Sequence, residues 1–221
     1  MKRFIVLILS VLFVMTLFAG CSNDAGNFES KNYTQEDTQI KGVAIDVQDR
    51  EIQVSLSSDA LIHIDYFESD KEYYDLFVSD DGILTMTSEN NKEWTDYFGG
   101  STPSEVNRIS LQVPESLLSS LTLRTSKEDI TLPPLHIADK ISLSNNGGDI
   151  LFDKLDVGNL LSLENKNGDI RGTILGGYDD YHISCEIKKG DSNLPEEKPG
   201  GEKSLNVTNN NGDIGIQFAQ E

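Results

Sequence analysis

Apolar and polar residues alternate along most of this chain, and in its second half the alternation returns at a fixed period. In Leu161-Ser162-Leu163, for example, two apolar residues flank a polar one shortly before Asp169, and Ile170 starts a second alternating stretch. Successive side chains of a β-strand point to opposite faces, so this pattern is typical of strands with one buried face. It predicts pairs of short strands joined by tight turns.

The turns carry a recurrent phrase, Asn-Gly-Asp-Ile. It stands at 167–170 and 211–214, in the longer form Asn-Asn-Gly-Gly-Asp-Ile at 145–150, and in weaker form at 128–130 and 190–192. The aspartates are spaced 20, 20, 22 and 22 residues apart: Asp129, Asp149, Asp169, Asp191 and Asp213. A fixed period of this size indicates stacked repeats. We therefore predict an all-β, single-domain parallel β-solenoid, or β-helix, with coils of 20–22 residues.

Alignment of 119–221 on these aspartates assigns a role to each column of the repeat. Asn and Gly supply the positive φ values of a tight corner, and an Asn four residues before the aspartate is expected to stack as a ladder. The predicted turn residues are Asn145, Gly148, Asp149, Asn165, Gly168, Asp169, Gly190, Asp191, Asn209, Gly212 and Asp213. The predicted core residues are Leu143, Ile150, Leu163, Ile170, Cys185, Val207 and Ile214. Cys185 occupies an apolar column, which favours a small buried side chain over a nucleophile.

Residues 39–118 also alternate, but without this period. We predict an N-terminal β-strand region there, a β-meander that caps the exposed strand edge of the first coil. The polar stretch 88–106 interrupts the alternation and contains three aromatic residues, Trp94, Tyr97 and Phe98. Aromatic residues in a long polar loop can form a recognition surface for a glycan or a protein, or can fold back to close the stack. Both interpretations stay open, and these three residues are the binding-surface candidates.

The N-terminus predicts export. Lys2 and Arg3 precede an apolar run, so 1–20 reads as a signal peptide rather than a membrane-spanning helix. Ala-Gly before Cys21 resembles the lipobox of bacterial lipoproteins, which implies that Cys21 is acylated. Residues 21–38 are polar and are expected to form a flexible tether. The predicted location is the extracytoplasmic face of the cell membrane, with the lipid as the membrane contact.

Charge narrows the range of partners. The chain has 18 basic and 37 acidic residues and a net charge of −19. Such a surface repels phosphate backbones, which argues against nucleic acid as a partner. No cofactor is expected. The alternative is a calcium-binding envelope spacer, with calcium held by a column of carboxylates, Asp149, Asp169, Asp191 and Asp213. We favour the simpler expectation that each aspartate accepts hydrogen bonds within its own turn.

The sequence offers little for catalysis. His63, His136 and His182 stand apart, without a second ligand at a metal-binding spacing, and no nucleophile elbow or phosphate-binding loop is present. We therefore predict that the protein is not an enzyme. The alternative is a polysaccharide lyase or glycosidase, because β-helices often carry those activities.

A family resemblance supports this interpretation. The stretch Ile109-Ser-Leu-Gln-Val-Pro114, followed by serial Gly-Asp-Ile copies, resembles the β-strand-repeat domain of candidate adhesins called toastrack, which includes LiaG-like envelope proteins. The resemblance covers about 40–221. It implies a right-handed, mainly parallel β-solenoid on the cell surface, without an established enzyme activity. Glu128 and Ser192 depart from the motif, so irregular coils are expected there. The expected function is a surface-anchored binding, adhesion or envelope-stress accessory module for an unknown envelope protein or glycan.

Overall fold

The computed structural model describes residues 27–35, 40–93, 106–114 and 118–220. The predicted sites Cys21, Trp94, Tyr97 and Phe98 lie outside these ranges.

The regular secondary structure of the described residues is almost wholly β-strand, which confirms the all-β prediction. A 3-10 turn spans Tyr178–Asp180. The strands are β1 Glu29–Gln35, β2 Gly42–Asp46, β3 Glu51–Leu56, β4 Ile62–Glu68, β5 Glu72–Val78, β6 Ile83–Asn90, β7 Arg108–Val113, β8 Ser120–Thr125, β9 Ile130–Leu132, β10 Leu135–Ile137, β11 Lys140–Asn145, β12 Ile150–Val157, β13 Leu160–Asn165, β14 Ile170–Leu175, β15 Tyr181–Ile187, β16 Glu197–Lys198, β17 Lys203–Asn209 and β18 Ile214–Ala219. Within the described ranges, no helix has the length and apolar character needed to cross a membrane.

The strands form two sheets around one apolar core. The first sheet has the order β1-β4-β7-β3-β9-β12-β14-β18, with β10 also paired to β12, and the second has the order β16-β15-β17-β13-β11-β8-β2-β6-β5. Central strands pair in parallel, whereas β1, β4, β5 and β16 pair antiparallel at the ends. Both sheets are therefore mixed: the parallel arrangement expected for the whole fold runs through their centres and reaches β18 at one edge of the first sheet.

The repeat copies stack in register. One row of side chains crosses the second sheet and consists of Leu123, Leu143, Leu163, Val207 and Cys185. A second row crosses the first sheet and consists of Ile130, Ile150, Ile170 and Ile214. Every member of both rows is at most 5% exposed. We call one repeat copy, or the pair of strands at the same level of the stack, a layer.

Stacking order and chain order differ at the C-terminal end. Strand β17 lies between β13 and β15, so the fifth copy is inserted between the third and the fourth. Strand β16 covers β15 as an antiparallel edge. The Asn193 amide covers β18, because its Nδ2 donates to the Ile216 carbonyl at 2.6 Å and its Oδ1 accepts from the Ile216 N–H at 3.0 Å. The last layer therefore presents little open strand edge.

The expected N-terminal meander needs correction. Only β5 and β6 form an antiparallel hairpin, while β2 pairs in parallel with both β8 and β6, and β3 with both β9 and β7. Val43 and Ile45 lie beside Leu121 and Leu123 because they have the same alternation of inward and outward positions. Two further layers thus precede the five copies, although their corners lack the Gly-Asp phrase.

The expected tether is also shorter than 21–38. Strand β1 lies within that segment and pairs antiparallel with β4 along its whole length. Tyr33 packs against the core from this strand. Alternation in Lys31, Tyr33 and Gln35 is too weak a signal in a polar segment to predict a strand, and the pairing depends on β4. We call the end of the stack formed by β1, β4 and β5 the cap end.

Candidate functional sites

The repeat aspartates form a ladder between layers. The Oδ1 atom of Asp129 accepts the N–H of Asp149 at 2.7 Å, and Asp149 accepts that of Asp169 at 2.8 Å. Asp169 accepts the N–H of Asp213 at 2.7 Å, and Asp213 accepts that of Asp191 at 3.0 Å. The expectation that each carboxylate bonds its own turn is therefore wrong. Stacking in register places the next layer's N–H beside the carboxylate, so the bond joins two layers.

The asparagine column also joins neighbouring layers, through side chains that are buried inside the corners. Asn145, Asn165 and Asn209 are at most 1% exposed and occupy one row of the second sheet. Their side-chain amides donate to carbonyls of the preceding layer, those of Glu128, Gly148 and Gly168, at 2.8, 2.9 and 2.9 Å. The buried amide thus replaces a backbone donor at each bend.

Two glycines explain why the corner phrase is restricted. Gly168 and Gly212 have φ values of +131° and +139°, which side chains rarely adopt. A Cβ atom at Gly168 would lie 2.1 Å from the Gly148 carbonyl oxygen, and one at Gly212 would lie 2.1 Å from that of Gly168. The repeat corners therefore hold adjacent layers together. Among the described residues, no group of three or more His, Cys, Asp or Glu side chains could hold a metal ion.

The cap end contains a buried charged group that the sequence did not predict. Arg50 is 2% exposed, and its Nη2 donates to Glu72 at 2.6 Å. Its Nε donates to the Tyr74 hydroxyl at 2.9 Å, and its Nη1 donates to the side chain of Asn107 at 3.0 Å. Lys92 also contacts Glu72, at 2.8 Å. We call these five residues the Arg50 cluster. No pattern around Arg50 distinguishes it, because its partners come from three distant stretches of the chain.

Electrostatic interactions within the cluster keep Arg50 and Glu72 charged. Burial raises the pKa of Glu72, but hydrogen bonds from Lys92 and Arg50 outweigh it, and the pKa lies below its usual value. Burial lowers the pKa of Arg50, but Tyr74 and Glu72 raise it by more, so the pKa lies above its usual value. Burial raises the pKa of Tyr74. The cluster is thus a satisfied buried ion pair that joins β5 to the corner between β2 and β3.

The cluster also lies where the 94–105 segment leaves and re-enters the described structure. Lys92 precedes that segment and Asn107 follows it, and both residues belong to the cluster: Lys92 contacts Glu72, and Asn107 accepts from Arg50. The Phe28 ring, just before β1, lies 5.9 Å from the Arg50 Cζ atom. A cleft of about 70 Å³ beside Arg50 is too small for a sugar ring or peptide, since ligand sites commonly measure roughly 300–1,000 Å³.

The histidines are less isolated than their spacing indicated. Nε2 of His63 lies 3.0 Å from Oδ1 of Asp59, and Nδ1 lies 3.0 Å from the Thr34 hydroxyl. A carboxylate only accepts, so Nε2 donates to Asp59. The Thr34 hydroxyl also donates to Oδ1 of Asn32 at 3.2 Å. Nδ1 of His136 lies 2.6 Å from Asp156. Sequence spacing could not find Thr34 beside His63, because the pairing of β1 with β4 brings them together.

Cys185 lies in the core, as its column indicated. It is 5% exposed, and its Sγ lies 3.5 Å from the Ser192 hydroxyl. Ser192 occupies the position that isoleucine fills in other copies, and its hydroxyl also accepts the Leu194 N–H at 3.1 Å. This layer ends the stack, so a polar residue is tolerated here.

These features define an all-β repeat protein whose polar corners hold its layers together. The chain belongs to the Toastrack DUF4097 family, whose model matches residues 40–221. This finding confirms the resemblance drawn from the sequence. No curated protein sequence matches the chain.

A solved structure shares the fold. A crystal structure described as a candidate cell adhesion protein from Clostridium sporogenes is 13% identical and has a TM-score of 0.59. The match covers 87% of this chain and 100% of that one. A candidate adhesin from Bacteroides fragilis is 11% identical over 86% of this chain and 97% of that one, with a TM-score of only 0.32. At these identities, the first likeness extends to the fold alone.

Proposed function

We propose that this protein is a lipid-anchored, non-catalytic binding module of the bacterial envelope, and that its partner lies in or near the same membrane. The stacked layers act as a stiff, solenoid-like spacer. The family assignment and the adhesion label of the Clostridium structure support a binding role. The observation that carries the proposal is the attachment of both flanks of the aromatic 94–105 segment to the Arg50 cluster.

The short link to the anchor argues for a nearby partner. Phe28 follows Cys21 by seven residues and contacts the Arg50 cluster. Seven extended residues span at most about 25 Å. If Cys21 carries the lipid, the cap end stays close to the membrane. The proposed partner of Trp94, Tyr97 and Phe98 is therefore a membrane-proximal protein or glycan, which favours an envelope-stress accessory over adhesion to another cell.

Binding of purified full-length protein to isolated membranes and cell-wall material tests this proposal. The Trp94→Ala/Tyr97→Ala/Phe98→Ala variant is expected to lose binding and keep the wild-type melting temperature. Tyr178→Ala is the matched control, because Tyr178 is an aromatic residue 43% exposed near the other end of the stack. Wild-type binding by the triple variant would contradict the proposal. Loss of stability would instead assign these aromatics to closing the stack.

The anchor has a separate test. Cys21→Ser is expected to abolish incorporation of a fatty-acid analogue and to release the folded protein into the medium. Retention in the membrane fraction would exclude Cys21 as the anchor.

A second function, hydrolysis, has one observation in its favour. Thr34, His63 and Asp59 follow the order hydroxyl, imidazole, carboxylate of hydrolase triads. Thr34 and His63 are also direct cross-strand partners, for which such contact is ordinary. Assays on polysaccharide and ester substrates with wild type and Thr34→Val decide between these interpretations. We expect no turnover from either, and activity lost in Thr34→Val would establish the enzyme.

A further inference from the structure

The Asn-Gly pairs in the turns can undergo a chemical reaction, deamidation of the asparagine. The backbone nitrogen of the glycine can attack the asparagine side-chain carbonyl carbon. A C–N bond forms, and ammonia leaves with the glycine's proton, so that a five-membered succinimide results. Water then adds and opens the ring to aspartate or isoaspartate. Glycine favours the attack because it has no side chain to obstruct the approach. The sequence contains three such pairs, at 146–147, 167–168 and 211–212.

The stack holds two of the three attacking nitrogens in bonds between layers. The Gly168 N–H donates to the Asn211 carbonyl at 2.9 Å, and the Gly212 N–H donates to the Lys189 carbonyl at 3.0 Å. The Asn167 side-chain amide is itself held, because its Nδ2 donates to the Asn146 carbonyl at 2.9 Å. Either nitrogen can attack only after two layers separate locally.

Packing also distinguishes the pairs at 167–168 and 211–212 from the pair at 146–147. A Cβ atom at Gly168 or Gly212 would meet a carbonyl oxygen of the adjacent layer at 2.1 Å, so these backbones have no room to rearrange. At Gly147 the nearest atom would be the Ser126 carbonyl oxygen at 3.5 Å, an ordinary contact. The Gly147 N–H donates to a side chain of its own turn, Oδ1 of Asn145, at 3.1 Å.

The difference follows from where each pair falls in the corner. In the copies at 167–170 and 211–214, the glycine immediately precedes the aspartate and presses against the adjacent layer. In the copy at 145–150 an additional glycine precedes the aspartate, so the Asn-Gly pair lies one position earlier. Asn146, Asn167 and Asn211 are all exposed, so the difference lies in how the glycine nitrogens are held and not in access to the asparagine side chains. We propose that Asn146 is the deamidation site of the folded protein and that stacking protects Asn167 and Asn211.

Mass spectrometry of the full-length protein, incubated at mildly alkaline pH, tests this proposal. Cleavage after Lys and Arg puts the three pairs into different peptides. We expect Asn146 to react in the folded chain, and Asn167 and Asn211 to react slower by on the order of tenfold, because their reaction requires local opening. In urea, the three rates are expected to converge. Equal folded rates, or a difference that persists in urea, would overturn the proposal.

Gly147→Ala provides the variant test. Gly147 is not among the glycines with positive φ and has space for a Cβ atom, so the variant is expected to melt like wild type. The added methyl group obstructs the attack and is expected to slow deamidation of Asn146 without changing Asn167 or Asn211. An unchanged rate at Asn146 would overturn the assignment.

Discussion

A single aspartate of the repeat joins three layers. The N–H of Asp149 donates to Asp129, and its carboxylate accepts from Asp169. Because its Oδ1 serves as the acceptor for a backbone donor, the residue is required for its oxygen more than for its charge.

Asp149→Ala and Asp149→Asn separate those two properties. The alanine variant leaves the Asp169 N–H without its acceptor and is expected to cost about 1 kcal/mol of unfolding free energy in urea. The asparagine variant keeps an oxygen acceptor and is expected to retain most of that stability. A carboxylate column that bound calcium would behave differently: calcium would raise the wild-type melting temperature, and Asp149→Asn would lose that rise.

The Arg50 cluster gives stability a pH dependence. The pKa of Glu72 is lower in the folded chain than its ordinary value. Glu72 therefore contributes stability above the unfolded pKa, and this contribution is lost as pH falls through the folded pKa. We expect wild type to lose stability in acid more steeply than Glu72→Gln in urea titrations at several pH values. Parallel curves would contradict this role.

The Arg50→Ala variant tests the same cluster by removing the other member of the ion pair with Glu72. Removing the guanidinium leaves the buried Tyr74 hydroxyl without this partner and leaves Glu72 with Lys92, and the expected cost is about 3 kcal/mol at neutral pH. The measurement is the urea concentration at the midpoint of unfolding, compared at an unchanged dependence of the unfolding free energy on urea concentration. A cost within experimental error would show that the cap end does not depend on this ion pair.

Strand order is the main property at the scale of elements. Strands β15 and β17 present the same inward pattern, Ile183 and Cys185 in one and Leu205 and Val207 in the other. The alternation predicted both strands and their register. It could not predict which one lies beside β13, because either would bury the same face.

Engineered disulfides test the inserted order. In a chain without native cysteines, Ser162→Cys with Asn206→Cys is expected to oxidise readily, because these residues are direct partners on neighbouring strands. Asn206→Cys with Ser184→Cys is the positive control. Ser162→Cys with Ser184→Cys spans two strand spacings, about 9.6 Å, and is expected not to close. Closure of Ser162→Cys with Ser184→Cys, together with failure of Ser162→Cys with Asn206→Cys to close, would indicate stacking in chain order.

The N-terminal layers show a second limit of prediction. Val43-Ala44-Ile45 alternates like a repeat strand, but its corner contains Asp49 and Arg50 instead of the Gly-Asp phrase. A motif search therefore assigns these strands to a separate cap. Pairing along the backbone does not require the motif, only the same inward face, and β2 accordingly continues the stack.

At the scale of the whole molecule, antiparallel strands cover the cap end of the stack, and at the other end β16 covers β15 while the Asn193 amide covers β18. Seven strand spacings separate β5 from β15 in the second sheet, a length of about 34 Å. Closed ends oppose growth into a fibre, and the acidic surface opposes self-association.

Photocrosslinking in intact cells tests the central claim, that binding occurs at the membrane-proximal cap end. A photoreactive phenylalanine derivative is placed at Tyr97 in one full-length variant and at Tyr178 in another. We expect crosslinks to a membrane-associated envelope component from position 97, and none to that component from position 178. Crosslinks from position 178 alone would contradict it.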